Sequence, residues 1–120
     1  MVHFNFTLND FKLIGFSIIN RKKLTERGGD KMTVTEERKW MAQFGFALKT
    51  AFVMWKYVKS SHIESKAKDF LMALYFLKSN ATEKQIGAMF GGLNEETVRY
   101  WVWIHLNWIA DFAPQLVSFI

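Results

Sequence analysis

ATEKQIGAMFGGLNEETVRYWVW, residues Ala81–Trp103, reads as two helices joined by a glycine turn. Thr82 suits an N-cap and Gln85, three residues on, can return the bond in a capping box, after which Ile86 and Phe90 repeat at helical spacing. Gly91-Gly92 then stops that helix. Asn94 is a good cap for the next one, Glu95 and Glu96 suit the positive end of its dipole, and Val98, Trp101 and Val102 restore an apolar stripe. Both starts and the stop between them are encoded locally. The stretch therefore predicts a helix-turn-helix over 82–108, whose second helix runs from Glu95 to about Trp108.

Working outward, Lys66–Ser79 predicts a helix with Phe70, Leu71, Leu74 and Leu77 as its stripe, widened by Tyr75 and Phe76. Packed across the pair, it completes a three-helix unit. Further back, Phe46–Ser60 places Leu48, Ala51, Phe52, Trp55 and Val58 on an apolar face, with Lys49, Lys56 and Lys59 behind and Ser60-Ser61-His62 as its end. Gly45 separates it from a short helix capped by Thr33 or Thr35, with Glu36 and Glu37 in the first turn and Trp40 and Met41 facing inwards. Arg21–Lys31, RKKLTERGGDK, reads as a charged linker broken at Gly28-Gly29. Met1–Asn20 reads either as a hairpin turning at Asn9-Asp10, since Phe4, Phe6 and Leu8 alternate, or as an apolar arm.

These elements predict an all-α helical bundle containing a helix-turn-helix, with residues 1–32 as an N-terminal arm and basic linker and 33–120 as the helical domain. The last helix continues through Asn107, Trp108, Ile109 and Phe112 and stops before Pro114. The closing Leu116, Val117, Phe119 and Ile120 either dock on the domain or form an interface within a homo-oligomer or larger assembly.

A length of 120 residues, 50% of them hydrophobic and 17% aromatic, fits one packed domain. Without cysteine there is no disulfide framework, thiolate nucleophile or cysteine-ligated zinc, which leans towards a reducing compartment, nuclear or cytoplasmic. No apolar run approaches the roughly 18 residues of a membrane span, and no basic region opens the chain as a secretory leader would. The net charge of +5 permits binding to an anionic partner such as nucleic acid. Its distribution is uneven: Met1–Ser65 holds eleven Lys and Arg against six Asp and Glu, and Lys66–Ile120 holds five against five. The predicted reading head is electrically neutral.

In a helix-turn-helix the early side chains of the second helix reach base edges while flanking cations hold phosphates. That logic makes Lys78, Lys84, Asn94, Arg99, Tyr100 and Trp103 the candidate contacts to double-stranded DNA, with Glu95 and Glu96 also facing outwards. Arg21, Lys22, Lys23, Lys49, Lys56 and Lys59 are auxiliary phosphate candidates. Arg99 has the donor geometry for a bidentate bond to guanine, worth about 1–3 kcal/mol of discrimination. Trp101 and Trp103 point to different sides of the helix, and core packing is the plainer use for either. His62 reads as a surface loop residue and His105, on the apolar line, as a packed core residue. With no ligand cluster, phosphate loop or nucleophile-base-orienter set, no enzyme activity, metal or cofactor is expected. The acidic turn, the neutral C-terminal half and the apolar ends support a second reading, a helical protein-interaction module without DNA.

Phe44-Gly45 followed by Trp55, and the run Asp69–Trp103 followed by Ile109-Ala110-Asp111, together resemble the N-terminal helical region of DDE-superfamily transposases of the Harbinger-like kind. In that family an FLK helix precedes an ATE cap, a glycine-pair turn with acids and threonine, and an R-x-W-x-W recognition helix. Here these are Phe76-Leu77-Lys78, Ala81-Thr82-Glu83, Gly91-Gly92-Leu93-Asn94-Glu95-Glu96-Thr97 and Arg99-Tyr100-Trp101-Val102-Trp103, within a similarity covering roughly Glu36 to Asp111. The resemblance implies an element-end DNA-binding region, separate from the family's RNase-H-like catalytic domain with its three metal-holding carboxylates. It therefore implies a transposase-derived fragment or domesticated binding domain; Asp69 and Asp111 lie on predicted helices rather than at strand ends, so no metal role is expected of them. Glu96 and Tyr100 depart from the family, whose members often carry lysine there.

Overall fold

A computed structural model describes residues 6–20 and 32–112. Within them lie six helices and no strand: α1 (Leu8–Asn20), α2 (Val34–Phe44), α3 (Leu48–Ser61), α4 (Ala67–Lys78), α5 (Glu83–Met89) and α6 (Glu95–Asp111). The all-α bundle expected from the sequence is the fold observed. Residues 1–5, the linker with Arg21, Lys22 and Lys23, and the apolar close after Phe112 lie outside the described residues.

The centre is α4. Phe70, Leu71, Met72, Ala73 and Leu74 are all buried in succession, as a helix requires when it is enclosed on every side. It packs against α1 and α2 on one flank and most extensively against α6 on the other, so it joins the upstream helices to the α5–α6 pair. Leu77 departs from expectation: at the last turn of α4 it is 60% exposed, because the core ends before the helix does.

The N-terminal hairpin is overturned, and so is the alternative of a detached arm. The Thr7 backbone N–H donates to the Asp10 carboxylate at 2.8 Å, and the Asp10 N–H donates to the Thr7 hydroxyl at 3.1 Å, which makes a capping box for α1. Asn9-Asp10 is thus the first turn of a helix rather than a hairpin turn. Phe11, fully buried, lies among the rings of Trp40, Phe52, Trp55 and Phe70, with centroids 5.3–6.4 Å away. One ring from α1 thereby reaches α2, α3 and α4. Gly15 completes the seat, since a Cβ there would come within 2.0 Å of the Trp40 ring. Residues 8–20 accordingly share the core that was assigned to 33–120.

Thr33, rather than Thr35, caps α2 in a reciprocal box with Glu36, and bonds from Thr33 hold the Glu36 carboxyl below its ordinary value. Trp40 faces inwards as expected and Met41 does not, being 45% exposed. Gly45 ends α2 in the left-handed region, with φ 80°.

If α1 belongs to the core, Phe11→Ala leaves a cavity among four aromatic rings and costs about 3–5 kcal/mol, whereas Asn20→Ala at the exposed end of α1 stays within about 0.5 kcal/mol. Urea unfolding of the two variants measures the difference.

Candidate nucleic-acid interface

The α5–α6 pair forms as its capping residues dictate. Thr82 and Gln85 make a complete capping box at α5, and the Asn94 side chain accepts from the Thr97 N–H at 2.8 Å at the start of α6. Between them Gly91 and Gly92 take φ values of 100° and 78°, which lets the Gly92 and Leu93 N–H groups both donate to the Gly87 carbonyl at 2.8 and 2.9 Å. Gly87 is itself a close approach: a Cβ there would meet the Leu93 carbonyl oxygen at 2.1 Å and Val98 Cγ2 at 3.3 Å. Ile86, Phe90, Val98 and Val102 bury the inner face of the pair.

The rotation of α6 is fixed from behind by a buried polar chain that sequence reasoning missed. Trp55 Nε1–H donates to Ser65 Oγ at 3.2 Å, and Ser65 Oγ lies 2.8 Å from His105 Nε2. His105 Nδ1 is 2.8 Å from the Trp101 carbonyl, which only accepts, so Nδ1 carries the proton and Ser65 O–H donates to Nε2. His105 is the packed core residue expected. Ser65 and His105 have no exposed surface, so this serine-histidine pair is closed to a substrate and acts as a clamp. His62 lies in the loop after α3, as expected, and there stacks half-buried on Trp108 at 4.2 Å. Asp69 is buried at the start of α4, and that burial raises its carboxyl above the ordinary value.

The outward face carries the predicted residues in an electrostatic setting the sequence only partly foretold. Lys84, Asn94 and Arg99, together with Leu93, Glu95 and Glu96, line an open cleft of about 620 Å³. Arg99 Nε and Nη2 donate to the two oxygens of Glu83 at 2.9 and 2.7 Å, across the turn. That bond lowers the Glu83 carboxyl and raises the Arg99 guanidinium from their ordinary values. Tyr100 and Trp103 are 58% and 52% exposed; Tyr100 meets Trp101 edge-on and Trp103 meets Phe76. Lys78 lies beside Gly45 and does not line the cleft.

Of the auxiliary cations, Lys49 and Lys56 are exposed, with Lys56 over the Phe52 ring at 4.8 Å. Lys59 is a correction: its ammonium donates to the carbonyls of Ile63 and Ser65 and closes the α3–α4 loop instead of reaching outwards. Lys68, which sequence reasoning passed over, brings its Nζ over Gly91 at the turn. No group of His, Asp or Glu suited to a metal ion occurs among the described residues, and no described helix is long and apolar enough to cross a membrane.

Two outcomes test this arrangement. Gly87→Ala must push α6 away from α5 and is expected to cost about 1–3 kcal/mol in urea unfolding. Burial holds the His105 imidazole below its ordinary value of 6.5, so on acidification the unfolded chain takes up a proton that the folded chain resists. The contribution is complete above about pH 6.5 and falls as the pH drops below it; His105→Gln should flatten the stability profile between about pH 7 and 5.5. No family model, curated protein or solved structure matches this chain.

Proposed function

We propose that the chain is a non-catalytic module that binds double-stranded DNA, with α6 entering the major groove. The observation that carries this reading is the α5–α6 unit itself. Two capped helices are held together at Gly87, and the second presents Asn94, Arg99, Tyr100 and Trp103 outwards. Arg99 keeps 54% of its side chain exposed despite its bond to Glu83. Asn94 spends its carbonyl oxygen on the cap, which leaves its amide N–H groups for an acceptor. The resemblance of Asp69–Trp103 to transposase helix-turn-helix regions points to the same activity, in a nuclear setting.

Electrostatics limits the affinity. Glu83, Glu95 and Glu96 outnumber Lys84 and Arg99 around the cleft, so the head alone gains little from counterion release. Phosphate contacts must come from cations beyond it, with Lys49, Lys56 and Lys68 among the described residues. A second reading, a protein-interaction module, draws on one observation: Trp103 and Tyr100 expose aromatic surface beside that acidic rim.

Titration with random duplex DNA at low and moderate salt separates the two. The DNA reading expects binding that weakens steeply with salt and drops further in the combined Arg99→Ala and Lys84→Ala variant. Absence of binding at low salt, or no response to those substitutions, rejects it. Light scattering that finds a stable oligomer would then favour the interaction module.

A further inference from the structure

We propose that Glu83 aims Arg99 at guanine in duplex DNA and so makes the sequence preference of α6 depend on α5, an inference that rests on the DNA-binding reading. Both Glu83 oxygens accept from one side of the guanidinium, Oε2 from Nε and Oε1 from Nη2. This side-on fork uses two of the five guanidinium N–H groups and fixes the plane of the group. The end-on edge, with one N–H from each terminal nitrogen, stays available, and Nη1 has no hydrogen-bond partner among the described residues. That edge matches the O6 and N7 acceptors of guanine in the major groove.

The buttress and the base therefore use different edges of the same group, and Arg99 reads without releasing Glu83. An arginine alone on an exposed helix face samples many rotamers, and freezing it on a base opposes binding; anchoring it beforehand removes part of that opposition. Glu83 is well placed to do so, being the first residue of α5, whose position relative to α6 is set by the close approach at Gly87. Glu95 and Glu96 reinforce the preference, because they line the same cleft and repel a phosphate that would compete for Arg99. Glu83 is thus a positioning residue, and Arg99 is the group that touches the base.

The test uses duplexes enriched by the wild-type protein from a random pool, each prepared with guanine and with 7-deazaguanine, which lacks the N7 acceptor. Fluorescence anisotropy is expected to show wild type preferring the guanine duplex by about tenfold. Glu83→Gln should narrow that preference to within about twofold without weakening binding to the 7-deaza duplex, since losing a carboxylate from the face favours phosphate contact. Arg99→Ala should narrow it equally. The double variant Glu83→Arg/Arg99→Glu rebuilds the ion pair with its polarity reversed; a wild-type melting temperature without discrimination separates aiming from folding.

Full discrimination by Glu83→Gln overturns the aiming role and leaves the DNA reading standing. A wild type that treats both duplexes alike overturns the assignment of guanine to Arg99, and failure to bind any duplex at low salt overturns both.

Discussion

The chain of hydrogen bonds from Trp55 through Ser65 and His105 to the Trp101 carbonyl is the constraint on which the outward face of α6 depends. Each buried group in it finds one partner of the right sense, with donors running from the indole to the hydroxyl to the imidazole. Polar groups sealed in an apolar interior are tolerated only when satisfied, so few other rotations of α6 are available. With His105 turned inwards, helical geometry sends Glu96, Tyr100 and Trp103 to the opposite side. What α6 shows to solvent is decided by a residue with no surface of its own.

Aromatic packing fixes the rest. Phe11 gathers rings from α2, α3 and α4 around itself, and α4 carries that order across to α6. One buried donor is left over: Trp40 Nε1 has no hydrogen-bond partner among the described residues, a cost of about 1–3 kcal/mol accepted for the seat its ring makes with Gly15 and Phe16.

The parts legible in the sequence were those written within one helical turn. Thr82 with Gln85, the Asn94 cap and the stops at Gly45 and Gly91-Gly92 all act over three or four residues, and each appears where its residues predicted; at α2 the sequence offered Thr33 or Thr35, and the bond with Glu36 selects Thr33. A signal of the same kind was present at Thr7–Asp10, but alternating apolar residues upstream and the turn chemistry of Asn9-Asp10 favoured a different reading. Met41 and Leu77 had helical spacing towards the core and still emerged outside, because spacing gives the side of a helix and not where its neighbours end. Three pairings were illegible on principle: Arg99 with Glu83, Ser65 with His105, and His62 with Trp108 join residues 16, 40 and 46 positions apart through tertiary packing alone. The charge count did anticipate a weakly charged head, though not that its one arginine would be bonded within it.

The placing of the five tryptophans gives the molecule its own optical label. Trp40, Trp55 and Trp108 are buried and Trp101 is half-covered, while Trp103 alone stands mostly in solvent, on the outward side of α6 beside Phe76. With that exposure its emission is expected to be the red-shifted, quencher-accessible part of the intrinsic fluorescence. Anything that lands on that side of α6 must change this component while the buried indoles continue to report the integrity of the core. Occupancy and folding are therefore spectroscopically separable in the unmodified chain, without an added dye.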